Sequence, residues 1–360
     1  MTAEVPTSQE QEPPVVSVSD LAVWFPRRSG PLLRRTGWNQ AVEGVSFSIQ
    51  RGRTLALVGE SGSGKSTTGL SIVRIQKPTR GSISLLGRDI SNLEGRELRR
   101  IRRHMQLIFQ DPTGSLNPRR TVTQVLDEVL RACGLRGEAV AARRAQLLAQ
   151  VGLDSHHWSK YPHELSGGQR QRVGIARALA TSPELVVCDE PVSSLDVSIQ
   201  AQIMQLLARL QSELGVAYLF VSHDLAVVQA LAHEVAVMHR GRLMEIGSVD
   251  EVFERPSHPY TAALLAAVPR GNPDLSRSER IVLRSEASSA EPATGCPFRT
   301  RCWAYLALDR PDDCEQIAPP AVVQPAAHEP SSAACHHAAE VTVMAVDELA
   351  PLRSDPPVRK

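Results

Sequence analysis

The sequence predicts an α/β fold with a parallel β-sheet, and three observations lead to this prediction. Short apolar segments alternate with longer segments of helical character along most of the chain. One apolar segment leads directly into a glycine-rich stretch that is followed by a helix start. Between residues 111 and 165 the character of the chain is helical, which indicates a helical subdomain inserted into the sheet domain.

The periodicity of apolar residues places the elements in order. Apolar runs of strand length predict strands at residues 15–25, 41–49, 54–58, 82–86, 105–109, 185–188 and 216–221. Longer amphipathic segments predict helices at residues 67–74, 122–133, 138–151 and 197–214, with a short one between prolines at 257–269. The basic segment at residues 26–37 contains glycine and proline, so it predicts a loop.

The predicted organisation has four parts. Residues 1–14 are expected to be disordered, and residues 15–250 form the sheet domain. The pattern loosens after that point, which indicates a small cysteine-bearing C-terminal extension at residues 251–340, with a linker at 270–292 inside it. Residues 341–360 are expected to be a loose tail.

Composition excludes several classes of function. The chain has 360 residues, 42% of them hydrophobic, and a net charge of +1 from 40 basic and 39 acidic residues. This balance gives no support to nucleic acid as a partner. No apolar run approaches the roughly 20 residues that cross a bilayer, and the polar N-terminus does not resemble a signal peptide. We therefore expect a cytosolic protein, whose six cysteines stay out of disulfides.

The glycine-rich stretch GESGSGKS, residues 59–66, matches the phosphate-binding P-loop pattern G-x-x-x-x-G-K-[ST]. Its glycines allow a tight turn that brings backbone N–H groups to phosphate oxygens, and the helix that follows adds a favourable dipole. Lys65 would supply charge to the β- and γ-phosphates, and Ser66 a hydroxyl ligand to Mg²⁺. The alternative is a chance glycine-rich turn.

Four polar residues follow predicted strands and could complete such a site. Asp189 and Glu190 end the run LVVCDE, where the first suits a Mg²⁺ shell and the second a general base for an attacking water. Gln110 could reach that water or the metal, and His223 the γ-phosphate. Taken singly, an acidic strand end, a solvated glutamine and a structural histidine are the ordinary alternatives.

The stretch LSGGQ, residues 165–169, offers a second anion-binding device at a helix start. One triphosphate rarely needs two such devices in one chain. The stretch is therefore interpreted as serving a nucleotide held mainly by another subunit, and the alternative is a simple N-cap at Ser166.

The P-loop, Gln110, LSGGQ, LVVCDE, SSLD (residues 193–196) and His223 together resemble the ABC-type ATPases in order and spacing, over about residues 15–250. The resemblance implies a P-loop ABC-type nucleotide-binding domain that pairs head to tail, with each ATP between the P-loop of one subunit and the LSGGQ signature of the other. It implies Mg²⁺ ligands Ser66, Gln110 and Asp189, and catalytic residues Glu190, His223 and Gln110. The implied ATP contacts are Gly59, Ser61, Gly62, Ser63, Gly64, Lys65, Ser66, Thr67, Ser166, Gly167, Gly168, Gln169 and Asp196.

The family also stacks adenine on an aromatic residue upstream of the P-loop. Phe25 is the best match by position, with Trp24 and Trp38 as alternatives. A half-buried strand position is the competing interpretation of Phe25, because aromatic residues are usually core.

Longer stretches resemble the ATPase subunits of bacterial oligopeptide/dipeptide importers, a group that includes importers of nickel and glutathione. They are FQDPTGSLNPR, YPHELSGGQRQRV, DEPVSSLDVS and SHPYTAALLAAVP. The resemblance implies a second ATPase subunit, two membrane permease subunits and, indirectly, an extracytoplasmic solute-binding protein. The chain would lie peripherally on the cytoplasmic face of the membrane. A chromosome or repair ATPase is disfavoured, because no sustained heptads separate Lys65 from Ser166.

Four cysteines of the C-terminal extension are spaced C-x5-C-x11-C-x20-C, namely Cys296, Cys302, Cys314 and Cys335. Zinc sites usually contain closer pairs, four thiolates can also hold a [4Fe–4S] cluster, and free thiols remain an alternative. Spacing alone does not choose among them, and His336 and His337 are possible substitute ligands. The resemblance implies the cluster, with zinc as the alternative. Cys133 and Cys188 are expected in the core.

Overall fold

The computed structural model describes residues 13–29, 34–267, 294–326 and 329–349. The predicted linker at 270–292 and most of the predicted disordered N-terminus lie outside these ranges. The described strands are β1 (Val16–Ser29), β2 (Arg34–Ile49), β3 (Thr54–Val58), β4 (Arg80–Leu85), β5 (Arg88–Asp89), β6 (Met105–Ile108), β7 (Leu185–Asp189), β8 (Ala217–Val221), β9 (Glu234–His239), β10 (Arg242–Ser248) and β11 (Ser332–Ala333).

The strands form two sheets. The larger has the order β11-β10-β9-β3-β8-β7-β6, and its members from β9 to β6 are parallel. The predicted parallel sheet is thus confirmed, with β10 and β11 added antiparallel at one edge. Because β3, β6, β7 and β8 are parallel, their carboxyl ends meet at one edge of the sheet, which is where ligand sites form in such folds.

The smaller sheet is antiparallel, with the order β2-β1-β4-β5, and the sequence analysis did not predict it. The loop predicted at residues 26–37 is wrong in extent, since Pro26 pairs with Trp38 and Arg27 with Gly37 across the hairpin. Strand β1 pairs with β4 from Val16 to Ala22, so among the described residues the rest of β1 lies at an edge of the sheet. A proline is tolerated there because its missing N–H can face away from the paired strand.

The described helices are α1 (Lys65–Ile72), α2 (Gly95–Ile101), α3 (Pro112–Ser115), α4 (Val122–Ala132), α5 (Glu138–Gln150), α6 (Gly167–Leu179), α7 (Val197–Leu214), α8 (Leu225–Leu231), α9 (Val249–Glu254), α10 (Pro259–Ala266), α11 (Ala304–Ala307), α12 (Asp312–Gln316) and α13 (Ala338–Leu349). Helices α3, α4 and α5 lie between β6 and α6, as the predicted insertion requires. The buried faces of α4 and α5 share one apolar core with α6 and α7. Within the described ranges, no helix combines the length and the apolar character needed to cross a membrane.

The C-terminal extension packs against the large sheet. Strand β11 pairs with β10 through Ala333 opposite Glu245. Helix α13 contacts α10 and corrects the expected tail, because residues 341–349 are helical rather than loose. Val341 and Ala345 are one helical turn apart and both fully buried, so an apolar face fixes this helix.

Candidate active site

The P-loop joins β3 to α1 through a turn that requires glycine. Gly59 and Gly64 have φ values of 147° and 101°. A Cβ atom on Gly59 would lie 2.1 Å from the Met238 carbonyl oxygen, and one on Gly64 would lie 2.4 Å from that of Ala41. Both contacts are far inside van der Waals distance, so the loop closes tightly over β9 and β2 only because these side chains are missing.

Lys65, the first residue of α1, lies almost fully buried under this loop. Its Nζ donates hydrogen bonds of 2.8 Å to the carbonyl oxygens of Gly59 and Glu60. Burial lowers the pKa of Lys65, while the carboxylates of Glu190 and Asp189 act in the opposite direction. The lysine is therefore a positive charge that the loop backbone and two carboxylates hold in place.

Ser66 and Asp189 meet at the ends of α1 and β7. The Ser66 hydroxyl donates to Asp189 Oδ1 at 2.9 Å. Burial raises the pKa of Asp189, and the hydrogen bond from Ser66 only partly offsets it. A partly buried carboxylate beside a hydroxyl is a suitable pair of oxygen ligands for Mg²⁺. Burial disfavours the ionised carboxylate, and a bound divalent cation would stabilise it.

Both carboxylate oxygens of Glu190 have a side-chain partner. Gln110 Nε2 donates to Glu190 Oε2 at 2.8 Å, and His223 Nδ1 lies 3.1 Å from Glu190 Oε1. The backbone of Glu190 is left-handed, with φ of 45°, which is costly for a residue with a side chain. This conformation, anchored by the hydrogen bond from Glu190 N–H to the Val221 carbonyl, turns the carboxylate over the edge of the sheet.

All of these side chains except that of Asp189 line one cavity of about 470 Å³. Its lining contains most of the residues predicted for the phosphate site, together with Ala41, namely Ser61, Gly62, Gly64, Lys65, Ser66, Thr67, Gln110, Glu190 and His223. Gly59 and Ser63 lie in the loop behind it, where Ser63 Oγ is 3.5 Å from Lys65 Nζ. The structure thus brings together residues that lie far apart in the sequence.

A second cavity of about 480 Å³ adjoins the first, sharing Ala41 and Gly62. Its other lining residues are Arg27, Trp38, Asn39, Gln40, Glu43, Arg240 and Arg242. Trp38 is 45% exposed, and its ring centre lies 6.3 Å from that of Trp24. Phe25, the preferred aromatic of the sequence analysis, is partly buried and packs against the core cluster under the sheets. Among the described residues, Trp38 is the aromatic of this lining.

Sequence reasoning missed the basic side chains of that second cavity. Arg240 lies in the turn between β9 and β10, and Arg242 begins β10. The hydrogen bond from Glu43 N–H to the Gly241 carbonyl brings this turn to β2. No local pattern marks the two arginines, because the cavity forms only when distant hairpins meet.

The LSGGQ signature lies outside both cavity linings. Ser166 caps α6, accepting from Gln169 N–H at 3.2 Å while its own N–H donates to Gln169 Oε1 at 2.9 Å. A Cβ atom on Gly168 would lie 2.6 Å from Ile199 Cγ2, and a side chain on Gly167 would approach Leu195. Asp196 is the exposed N-cap of α7. This chain therefore presents the signature away from its own P-loop.

Comparison with known proteins decides the family. The family described as ABC transporter matches residues 42–193, and the oligopeptide/dipeptide transporter C-terminal region matches residues 244–307. The oligopeptide transport ATP-binding protein AppF of Bacillus subtilis is 48% identical over 307 residues, which cover 82% of this chain and 91% of AppF. The chain belongs to the ATP-binding subunits of the oligopeptide/dipeptide ABC importer family.

Two further comparisons place this importer ATPase. The glutathione import ATP-binding protein GsiA of Shigella flexneri is 52% identical over 277 residues, covering 77% of this chain but only 44% of GsiA. A dimeric post-hydrolysis structure of the ATP-binding cassette MJ0796, bound to ADP and Pi, is 29% identical with a TM-score of 0.57. That match covers 65% of this chain and 98% of MJ0796. The importer ATPase thus has the ABC fold over its sheet domain.

The four cysteines of the C-terminal extension are partly buried thiols that influence one another. Burial, together with a smaller effect of neighbouring cysteines, raises the pKa of Cys302 to about 12, of Cys314 to about 11 and of Cys335 to about 12. Burial also raises the pKa of Cys296. Within the described ranges, the tight ligand group of this region is Asp313, Cys314 and His337, whose ligand atoms lie within 4.8 Å of one another, rather than the four thiols. Cys188 is buried in β7, as expected of a core residue.

Proposed function

We propose that this importer ATPase binds and hydrolyses Mg-ATP in the 470 Å³ cavity and so powers the uptake of oligopeptides or dipeptides. The observation that carries the proposal is the convergence of Lys65, Ser66 and the Gln110–Glu190–His223 group on that cavity, with Asp189 hydrogen-bonded to Ser66. A positive charge, a metal-binding oxygen pair and a held carboxylate are the parts that phosphoryl transfer to water requires.

In this proposal the P-loop and α1 bind the triphosphate. Backbone N–H groups from Gly59 to Thr67 face the phosphate oxygens, and the helix dipole adds to their attraction. Lys65 Nζ would give up its hydrogen bonds to the Gly59 and Glu60 carbonyl oxygens and donate to the phosphates instead. The ammonium group is already in the loop, so it needs to move only a short way. Ser66, Asp189 and Gln110 would hold Mg²⁺, which when bound neutralises charge on the β- and γ-phosphates.

Glu190 is the proposed general base. The amide of Gln110 and the ring of His223 fix its two oxygens, so the carboxylate is oriented before water arrives. It would accept a proton from the attacking water, and His223 would contact the γ-phosphate. Positioning and proton transfer of this kind typically contribute about 10²–10⁴ in rate.

The signature is proposed to act on the ATP of a second ATPase subunit. Ser166 is exposed at the N-terminus of α6, where free N–H groups and the helix dipole suit an anion. With Gly167, Gly168, Gln169 and Asp196 it would close over a nucleotide bound mainly by the other subunit. Two ATP molecules would then hold a head-to-tail pair together, and hydrolysis would release it because the shared γ-phosphate contacts disappear.

The adenine is proposed to occupy the second cavity against Trp38, rather than Phe25. Trp38 offers an exposed ring and lines the space next to Gly62, whereas the ring of Phe25 is engaged in packing. An indole face is a good stacking surface for a purine.

The transport assignment adds partners that the chain does not itself contain. We infer two membrane permease subunits, a second ATPase subunit and an extracytoplasmic solute-binding protein, with this chain peripheral on the cytoplasmic face. The match of residues 244–307 to the oligopeptide/dipeptide transporter region favours a peptide substrate. Glutathione is the second candidate, since GsiA shares 52% identity over the matched residues.

A [4Fe–4S] cluster on Cys296, Cys302, Cys314 and Cys335 is the finer part of the proposal. The buried thiols fit a metal centre, because a cation would stabilise thiolates that burial alone disfavours. Sulfur ligands of a tetrahedral zinc ion stand about 3.8 Å apart, which is closer than the four thiols lie as a group. Zinc held by Asp313, Cys314 and His337 is the alternative.

Reconstitution tests the transport assignment. The chain would be purified with its copurifying membrane and ATPase subunits and sealed into lipid vesicles with the solute-binding protein. We expect ATP-dependent uptake of a defined tripeptide or longer peptide, and stimulation of ATP hydrolysis by that peptide. Uptake of glutathione without uptake of peptides would replace the substrate assignment, and hydrolysis without any coupled uptake would contradict transport.

A further inference from the structure

Two side chains of the C-terminal extension contact Glu60 of the P-loop. The Arg301 guanidinium donates to both carboxylate oxygens of Glu60, over 3.1 Å from Nη1 to Oε2 and 3.0 Å from Nη2 to Oε1. The hydroxyl of Tyr260 on α10 accepts a hydrogen bond from the Glu60 N–H at 2.9 Å. Side chains from two separate parts of the extension therefore hold this residue by its backbone and by its carboxylate.

Glu60 is itself part of the phosphate-binding turn. Its carbonyl oxygen accepts from Lys65 Nζ at 2.8 Å and from the Ser63 N–H at 3.2 Å. Moving Glu60 would move two groups that a triphosphate meets directly. The extension thus contacts a residue that is itself hydrogen-bonded to Lys65, the lysine proposed to bind the phosphates.

The surroundings of Arg301 make the contact with Glu60 a strong one. The Arg301 side chain is only 12% exposed, and Nη1 also lies 2.9 Å from His239 Nε2 at the end of β9. A guanidinium can only donate, so this nitrogen of His239 must be the accepting one. The hydrogen bond from Arg301 is the main reason that the pKa of Glu60 lies below its ordinary value. Glu60 is therefore ionised, and Arg301 compensates its charge.

We propose that Arg301 is a positioning residue for ATP binding, which acts by neutralising the Glu60 carboxylate from the C-terminal extension. The inference rests on the proposed ATP site. Without Arg301, the Glu60 carboxylate would be an uncompensated negative charge near the triphosphate. The loop is partly shielded from solvent, so the repulsion between these charges would be stronger than in water. Because Arg301 precedes Cys302 directly, the cysteine-bearing segment is part of this support.

The test measures equilibrium affinity of the full-length chain for Mg-ATP, using a fluorescent ATP analogue. We expect Arg301→Gln to weaken binding about tenfold, because repulsion of the phosphates by Glu60 is no longer screened. Glu60→Gln removes the carboxylate, so adding Arg301→Gln to that variant should change its affinity by less than about twofold. If Arg301 only stabilised the fold, its replacement would weaken binding equally with and without the Glu60 carboxylate.

Two controls complete the experiment. Arg310→Gln removes an exposed positive charge from the same extension and should leave the affinity unchanged. Arg301→Lys keeps a positive charge beside Glu60 and should bind within about twofold of the unmodified chain, which tests the charge argument even if Arg301→Gln does not fold. Unchanged affinity in Arg301→Gln, a tenfold loss in Arg301→Lys, or an equal loss from Arg301→Gln with and without the Glu60 carboxylate would overturn the proposal. Failure of the unmodified chain to bind Mg-ATP would instead contradict the proposed function.

Discussion

The nucleotide cavity and the cysteine-bearing extension are organised in opposite ways. In the cavity, functional side chains bind one another: Ser66 with Asp189, and Glu190 with Gln110 and His223. In the extension, burial favours the neutral form of the four cysteine thiols by raising their pKa values. The first site is arranged by the protein alone, whereas the second favours thiolates only when a cation is supplied. Preorganisation of this kind is what a catalytic site needs.

The two regions nevertheless form one mechanical unit. Arg301 and Tyr260 attach the extension to Glu60 of the P-loop. On the sheet, the buried carboxylate of Glu245 on β10 accepts from the N–H groups of Ser257 and His258 and from the hydroxyl of Ser331. Changes in the cavity should alter nucleotide binding or catalysis, while changes in the extension should act on stability and, more weakly, on nucleotide affinity.

The largest effect is expected from Glu190→Gln. This change keeps the shape of the side chain but removes the basic oxygen, so ATP hydrolysis should fall by about 10²–10⁴ with binding retained. Steady-state phosphate release and equilibrium binding measure the two quantities. Glu184→Gln is the matched control, because Glu184 also pairs with a histidine, His104 at 2.9 Å, but outside the cavity. Hydrolysis at the unmodified rate in Glu190→Gln would remove Glu190 as the base.

The next effect is expected from Lys65→Ala, which should weaken Mg-ATP binding by about a hundredfold, since a buried charge-assisted contact is lost. Lys77→Ala, which removes an exposed lysine paired with Glu94, should bind normally. Equal affinities in the two variants would be incompatible with the assigned phosphate site. The affinity can be followed by calorimetric titration.

A smaller effect is expected on the pH dependence of stability through Glu245. Burial raises the pKa of this carboxyl from 4.5 to about 7. Between these values the folded state binds more protons than the unfolded state, so stability falls as the pH rises. Relative to Glu245→Gln, the unmodified chain should lose up to about 3 kcal/mol between pH 4.5 and pH 8. Urea unfolding across this range, with the exposed Glu213→Gln as control, would contradict the account if the difference did not change with pH.

The smallest effect on nucleotide binding is expected from Cys302→Ser. Metal bound by the extension should be lost, and the extension should loosen, because ligand bonds replace a core in so small a segment. Affinity for Mg-ATP should fall by no more than the about tenfold expected from loss of the Arg301 contact. Anaerobic protein would be analysed for iron, sulfide and zinc, with Cys133→Ser as control. One equivalent of zinc would favour the zinc site over the [4Fe–4S] cluster, and absence of metal in the unmodified chain would contradict both proposals.

The same contrast explains what the sequence could predict. The P-loop is contiguous, and its strand, glycine turn and helix follow from local rules, as does α7, whose bounds at residues 197–214 agree with the structure. The parallel sheet then brings Gln110, Asp189 and His223 to one edge, so a strand-end rule was enough to group them.

Other contacts depend on the meeting of distant segments and left no local signal. Trp38 and Arg240 line one cavity because a long hairpin folds over the turn after β9. Arg301 reaches Glu60 across most of the chain, and neither residue type stands out in its own segment. The cysteine spacing in turn indicates candidate ligands without identifying a metal, because several ions accept four thiolates.

The most direct test of the account asks whether the ATP sites are shared between two ATPase subunits. In one assembled transporter, this chain carries Ser166→Arg and the second ATPase subunit has its own P-loop lysine replaced by alanine. In the other, this chain carries both Ser166→Arg and Lys65→Ala beside an unmodified partner. If the signature serves the partner's nucleotide, the first arrangement places both defects in one site and retains ATP hydrolysis at the other, while the second arrangement damages both sites and loses it. Faster hydrolysis in the second arrangement than in the first would contradict the head-to-tail account.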